Sequence, residues 1–151
     1  MTDNPTLEAI LDFAIQREQE AVEFYTSLAA NAKRPAMKEV FEQFAREEEG
    51  HKSRLMGVKS GRRDIGSPTP IPDLKLGDYL VAEEPGPEIT YQDALILAMK
   101  KEKAAFKLYT DLAAQVGDPE VRDLLLAIAQ EEAKHKLRFE TEYDDVVMSE
   151  N

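Results

Sequence analysis

The chain has 151 residues and a formal net charge of −11, from 30 acidic and 19 basic side chains. This excess of acids argues against a nucleic-acid backbone or an anionic membrane surface as the main partner, because both repel a negatively charged protein. The sequence contains no cysteine, which excludes disulfides and sites that need a thiolate. It also has neither the roughly 20 consecutive apolar residues of a membrane span nor the basic and apolar start of a secretory signal. We therefore expect a cytoplasmic protein without nucleic-acid or membrane partners.

The sequence contains an internal repeat. A shift of 84 positions aligns residues 6–54 with residues 90–138 without a gap. Glu18 aligns with Glu102, and the dipeptide His51-Lys52 aligns with His135-Lys136. The chain is therefore predicted to contain the same structural unit twice.

Apolar residues recur alternately three and four positions apart in four segments, which is the spacing of a helix in a bundle. The predicted helices cover about residues 6–32, 36–57, 90–116 and 119–143. Thr90 with Asp93 resembles a capping box at the start of the third helix. Before the fourth helix, Gly117, Asp118 and Pro119 supply a helix stop, an N-cap and a residue suited to the first helical position.

The links near residues 33–35 and 117–118 are short, so each pair of helices is predicted to be an antiparallel hairpin. Between the hairpins, about residues 58–89 are rich in glycine and proline and are predicted to form a long crossover. About thirty residues easily span a helix of ~33 Å, so the second and third helices would run parallel. Within the crossover, residues 73–82 are predicted to form a short helix that packs through Leu74, Leu76, Tyr79 and Leu80.

The predicted fold is therefore all-α: a single domain over residues 1–151, in which two repeated antiparallel hairpins form a four-helix bundle.

Six titratable side chains stand at positions that the helical spacing assigns to the apolar core. They are Glu18, Glu48, His51, Glu102, Glu132 and His135. Burying carboxylates without a compensating charge is costly, and the core positions of these helices contain no Lys or Arg. Two divalent cations would balance the four carboxylates with both histidines neutral. Carboxylate-bridged dimetal bundles have this ligand set. The first helix of each hairpin supplies one Glu, and the second helix supplies a Glu-x-x-His.

Oxygen-rich ligands with one imidazole per ion suit iron or manganese better than a structural zinc site. We therefore predict a centre of two divalent metal ions that is held by the six residues, which act catalytically through the metals. Tyr25 and Tyr109 follow the single glutamates by seven residues on the core stripe. They are either packed tyrosines with some hydroxyl partner or donors to a ligand carboxylate on a facing helix.

The motif has two copies, Glu18…Tyr25…Glu48-x-x-His51 and Glu102…Tyr109…Glu132-x-x-His135. From about residue 6 to residue 143, this pattern resembles the rubrerythrin branch of the ferritin-like superfamily. The resemblance implies a ferritin-like bundle and a non-haem di-iron centre with the six residues as ligands. It also implies chemistry with hydrogen peroxide or dioxygen, and a homodimer or larger homo-oligomer.

The sequence departs from that family in two respects. Typical rubrerythrins carry a rubredoxin-like domain that binds iron through four cysteines, and this sequence has no cysteine. Electrons are therefore expected from a separate donor, such as a rubredoxin-like protein. Many rubrerythrins also have a further carboxylate three residues after the third-helix Glu, where this chain has Ala105, with Ala21 at the repeated position. This difference weakens the case for efficient peroxidase turnover and leaves metal binding unaffected.

The leading functional prediction is an oxidoreductase in which a reduced di-iron pair delivers two electrons to peroxide or dioxygen. One alternative is a ferroxidase or iron-handling protein, in which iron is the substrate. A second alternative is a metal-stabilised interaction module without turnover. The amount of iron oxidised per chain and the consumption of peroxide distinguish the three.

Overall fold

The computed structural model describes residues 5–61, 74–81 and 89–149, which are mainly α-helical. The helices are α1 (Leu7–Asn31), α2 (Pro35–Gly61), α3 (Tyr91–Gln115) and α4 (Pro119–Ser149). A 3₁₀ helix at Leu76–Tyr79 lies between α2 and α3 in the chain. None of the helices in the described ranges has a stretch apolar enough to cross a membrane.

The four predicted helices are confirmed, but α2 and α4 end later than predicted. The helix α2 continues to Gly61, so residues 58–61 belong to it and not to the predicted crossover. Gly57 does not end the helix, because a glycine costs only about 1 kcal/mol relative to alanine inside a helix. The last turns of α2 are tied to α1 by an ion pair between Lys59 and Asp12.

The described residues fall into two compact units, Met1–Leu76 and Gly77–Asn151. In the first unit α1 packs against α2, and in the second α3 packs against α4, so each unit contains one helical hairpin. Most of the predicted crossover lies outside the described residues, which do not include 62–73 and 82–88. The parallel course of the second and third helices and the single-domain organisation stay predictions.

The helix starts follow the predicted capping chemistry. The Thr90 hydroxyl accepts a hydrogen bond from the backbone N–H of Asp93 at 3.0 Å, and Thr6, the equivalent residue of the first repeat, accepts from Ala9 at 3.2 Å. Asp118 caps α4 by accepting from the N–H of Glu120 at 2.8 Å. These contacts satisfy backbone donors that have no partner inside the helix. Both hairpins are thereby started at equivalent positions.

The short helix predicted for residues 73–82 is a single 3₁₀ turn. Leu74 and Tyr79 are buried as predicted, whereas the prediction for Leu80 was wrong, because its side chain is 54% exposed. The Tyr79 hydroxyl donates a hydrogen bond to Asp111 at 2.8 Å, and Lys107 donates to the same carboxylate at 2.8 Å. The 3₁₀ turn is thus attached to α3 by a hydrogen-bonded cluster, which the apolar pattern did not predict.

The electrostatics of this cluster favour the charged aspartate. Burial by itself would raise the pKa of Asp111, but the hydrogen bonds from Lys107 and Tyr79 lower it below its ordinary value. A carboxyl whose pKa is lowered on folding contributes stability above the pKa of the unfolded chain and loses that contribution as the pH falls.

We expect Tyr79→Phe to lower the free energy of unfolding by about 1 kcal/mol at pH 7, because the substitution removes the hydrogen bond to Asp111 and keeps the ring. The loss should shrink as the pH falls below about 4, because the unfolded chain takes up the proton on Asp111 first and the contribution of the charged carboxylate to stability then declines. Urea unfolding followed by circular dichroism at both pH values tests this. Tyr143→Phe is the control, since the Tyr143 hydroxyl makes no hydrogen bond to another described residue. Equal losses in the two variants would contradict the assignment.

Candidate metal centre

The first hairpin brings three titratable side chains together between α1 and α2. Glu18 lies on α1, and Glu48 and His51 lie one turn apart on α2. His51 Nδ1 is 3.5 Å from Glu18 Oε2 and 3.2 Å from Glu48 Oε1. One ligand atom of each residue lies within 4.8 Å of the others. We call this group the first cluster, and its atoms are close enough to share one cation.

The second hairpin repeats the arrangement between α3 and α4. Glu102 lies on α3, and Glu132 and His135 lie one turn apart on α4. His135 Nδ1 is 3.7 Å from Glu102 Oε1 and 3.7 Å from Glu132 Oε1. Their ligand atoms also lie within 4.8 Å of one another. We call this group the second cluster.

All six side chains are almost completely buried, with exposures of 0–2%. Among the described residues, no Lys or Arg side chain is buried with them. Two histidines cannot balance four buried carboxylates, and the cost of burying uncompensated carboxylates is several kcal/mol each. Carboxylate oxygens with one imidazole per cluster are suitable ligands for iron or manganese. The donor set therefore fits a carboxylate-bound pair of metal ions.

The carboxylates of the first cluster strongly favour a positive charge at His51. Burial lowers the pKa of His51, but hydrogen bonding and charge interactions with Glu18 and Glu48 outweigh burial and raise it to about 10. The side chains by themselves thus stabilise a cation at this place, and a proton on the imidazole is the simplest one. A divalent ion bound there has to displace that proton, so binding releases protons.

Apolar layers enclose the first cluster along both helices. Leu11 and Ala14 precede Glu18 on α1, and Phe41 and Leu55 lie on either side of Glu48 and His51 on α2. The four apolar side chains are fully buried, with exposures of 0%. These layers keep bulk water away from the carboxylates, and electrostatic interactions are stronger in such surroundings.

The positions predicted for the six residues are all buried, and the helices group them as the motif spacing implies. Their role as metal ligands stays a prediction. Tyr25 and Tyr109 are also buried, with exposures of 0% and 1%. The ring of Tyr25 contacts Phe44 edge-on with a centroid distance of 6.3 Å. Both tyrosines are thus core residues, and their proposed hydrogen bonds to ligand carboxylates stay predictions.

Sequence reasoning missed one buried carboxylate, that of Glu142. It is 1% exposed and accepts a hydrogen bond from the Tyr91 hydroxyl at 3.0 Å. This bond ties the first residue of α3 to the later turns of α4. The repeat gave no signal, because the equivalent residue is Val58. The available signal was its position seven residues after His135, on the same face of the helix.

Comparison with known proteins identifies the class to which this fold and these clusters belong. The family model for rubrerythrin matches residues 9–143. The chain therefore belongs to the rubrerythrin family, as its motif spacing predicted. The buried carboxylate and histidine side chains are compatible with the di-iron binding implied by that family.

A solved structure of a hypothetical protein from Pyrococcus furiosus is similar to this chain, with a TM-score of 0.73 and 30% sequence identity. The match covers 92% of this chain and 89% of the other. It confirms the predicted fold class, an all-α four-helix bundle of the ferritin-like type. No curated protein matches the sequence.

We expect Glu132→Gln to abolish most of the stabilisation that Mn²⁺ gives to the protein. An ion at 100 times its dissociation constant stabilises a protein by about 2.7 kcal/mol, so a tenfold to hundredfold weaker affinity removes half or more of that effect. In chelator, the same variant should melt at or above the wild-type temperature, because one of several repelling charges is gone. Thermal unfolding with EDTA and with excess Mn²⁺ measures both effects.

The matched control is Glu131→Gln, which removes the neighbouring charge on the polar side of the ligand stripe. It should keep most of the shift caused by Mn²⁺, because it leaves all six candidate ligands in place. Equal shifts in wild type and both variants would contradict a role for Glu132 as a ligand.

Proposed function

We propose that the protein is a di-iron oxidoreductase that reduces hydrogen peroxide or dioxygen with electrons from a separate donor protein. The observation that carries the proposal is the pair of buried Glu–Glu–His clusters in a chain of the rubrerythrin family. The two clusters would together hold two iron ions. The ligands would be Glu18, Glu48, His51, Glu102, Glu132 and His135.

Two ferrous ions, if held by these residues, would supply the two electrons that reduce one hydrogen peroxide molecule, with two protons, to two water molecules. The chain contributes the surroundings of that reaction. Its four carboxylates balance the charge of two divalent ions, and the spacing of Glu48 and His51 directs both side chains to the same ion. Their exposures of 0–2% keep bulk water away from the six side chains.

A separate donor protein is part of the proposal, since the 151 residues include no cysteine that could hold a rubredoxin-type iron. A rubredoxin-like protein has the appropriate chemistry for this role. A homodimer or larger assembly in the cytoplasm is also part of the proposal, and it rests on the sequence resemblance.

We expect rapid oxidation of two irons per chain when anaerobic protein loaded with ferrous iron is mixed with hydrogen peroxide in a stopped-flow instrument. One peroxide should be consumed for every two irons oxidised. Glu48→Gln should lose the rapid phase, whereas Glu47→Gln, its neighbour outside the ligand stripe, should keep it. Peroxide consumption at the background rate of free ferrous iron would remove the proposal and favour a metal-stabilised interaction module.

The same experiment with excess ferrous iron separates the proposal from ferroxidase activity. An oxidoreductase with resident iron should stop after two irons per chain and resume only when a reductant is added. Continued oxidation of many equivalents, with release of ferric iron, would show that iron is the substrate instead.

A further inference from the structure

The two hairpins surround equivalent clusters with different charges. Within two positions of its three ligand residues, the first hairpin carries three basic and three acidic side chains, and the second carries five basic and one acidic. In the first hairpin they are Arg17, Arg46, Lys52, Glu20, Glu47 and Glu49. In the second they are Lys100, Lys101, Lys103, Lys134, Lys136 and Glu131. The net flanking charge is therefore zero around the first cluster and +4 around the second.

A hydrogen bond beside the first cluster has no counterpart at the equivalent positions of the second. Lys52 Nζ donates to Gln19 Oε1 at 2.7 Å, and these residues directly follow His51 and Glu18 in the sequence. The bond therefore ties α1 to α2 at the level of the ligands. The equivalent residues are Lys103 and Lys136, neither of which can accept a hydrogen bond from the other. Lys136 donates instead to Glu140 of its own helix, at 2.9 Å.

The distances between histidine and carboxylate atoms are also shorter in the first cluster than in the second. The two histidine-to-carboxylate distances are 3.2 and 3.5 Å in the first cluster and 3.7 Å for both pairs in the second. Side chains that already lie close together, on helices joined by a hydrogen bond, lose less conformational freedom when an ion binds. This favours a higher affinity. The flanking charge and the shorter distances therefore both favour tighter binding of a cation at the first cluster than at the second.

We propose that the two clusters bind divalent cations unequally: the first holds a resident ion, and the second binds its ion more weakly and exchanges it. This inference rests on the proposed function, since it requires that both clusters bind metal. The flanking lysines lie mostly at the surface, where water and salt screen them. We therefore expect a difference of about tenfold in dissociation constant rather than several orders of magnitude.

Titration of the wild-type protein with Mn²⁺, with free Mn²⁺ counted by electron paramagnetic resonance, tests the proposal without any turnover. Two steps with dissociation constants about tenfold apart are expected. His51→Ala should lose the tighter step, and His135→Ala the weaker one.

Two exchange variants leave all six ligands in place. Lys103→Gln gives the second hairpin the residue of the first, and it should strengthen the weaker step several-fold while hardly changing the tighter one. Gln19→Lys does the reverse and should weaken the tighter step. The control is Arg122→Gln, which removes a positive charge ten residues, or about 15 Å, before Glu132 on α4. It should change neither step by more than about twofold.

The outcomes separate this proposal from the proposed function. Two equal Mn²⁺ sites in the wild type, or loss of the tighter step in His135→Ala, would overturn the inequality and leave the di-iron centre intact. Failure of Lys103→Gln and Gln19→Lys to move either step would show that the flanking residues do not set the affinities. Binding of less than one Mn²⁺ per wild-type chain would overturn the di-iron proposal itself.

Discussion

Neutralisation of four buried carboxylates is the constraint on which the molecule depends. Glu18, Glu48, Glu102 and Glu132 each replace an apolar residue in a helix face that is otherwise buried. Their burial is costly, and the described core offers two histidines and no Lys or Arg to offset it. Such a set of acids is compatible with a hairpin that binds cations. The same charges would then govern both the stability of the hairpin and its affinity for metal.

Each hairpin can organise its own cluster, because helix geometry determines which side chains lie on the same face. A Glu and a His three residues apart lie on one face of α2 or α4, and a single Glu reaches them from the neighbouring helix. The capping contacts of Thr6, Thr90 and Asp118 set where the helices start and so hold the register of these residues. The apolar layers then exclude the water that would otherwise solvate the acids.

The helices and the clustered positions could be predicted from the sequence, because periodicity and the 84-residue repeat report directly on helix faces. Features that depend on a single long-range contact could not be predicted from the sequence. The late end of α2 accompanies the Lys59–Asp12 pair, and the burial of Glu142 accompanies its bond to Tyr91. The ion pair leaves no periodic trace. Glu142 does lie on the helix face of His135, but it stands beyond residue 138, where the aligned repeat ends. The 3₁₀ turn was predicted as an apolar helix for the same reason, since its attachment through Asp111 is polar.

The repeat also places the same candidate ligands in two different surroundings. The flanking residues differ by four units of charge between hairpins that carry the same Glu–Glu–His set. Lysines beside the second cluster repel a divalent ion, but they also stabilise its carboxylates when that ion is absent. The first cluster, with no net flanking charge, depends more on its own cation. If the second cluster binds its ion more weakly, as proposed, its hairpin would also be the one that better tolerates an empty cluster, and it could exchange the ion without unfolding.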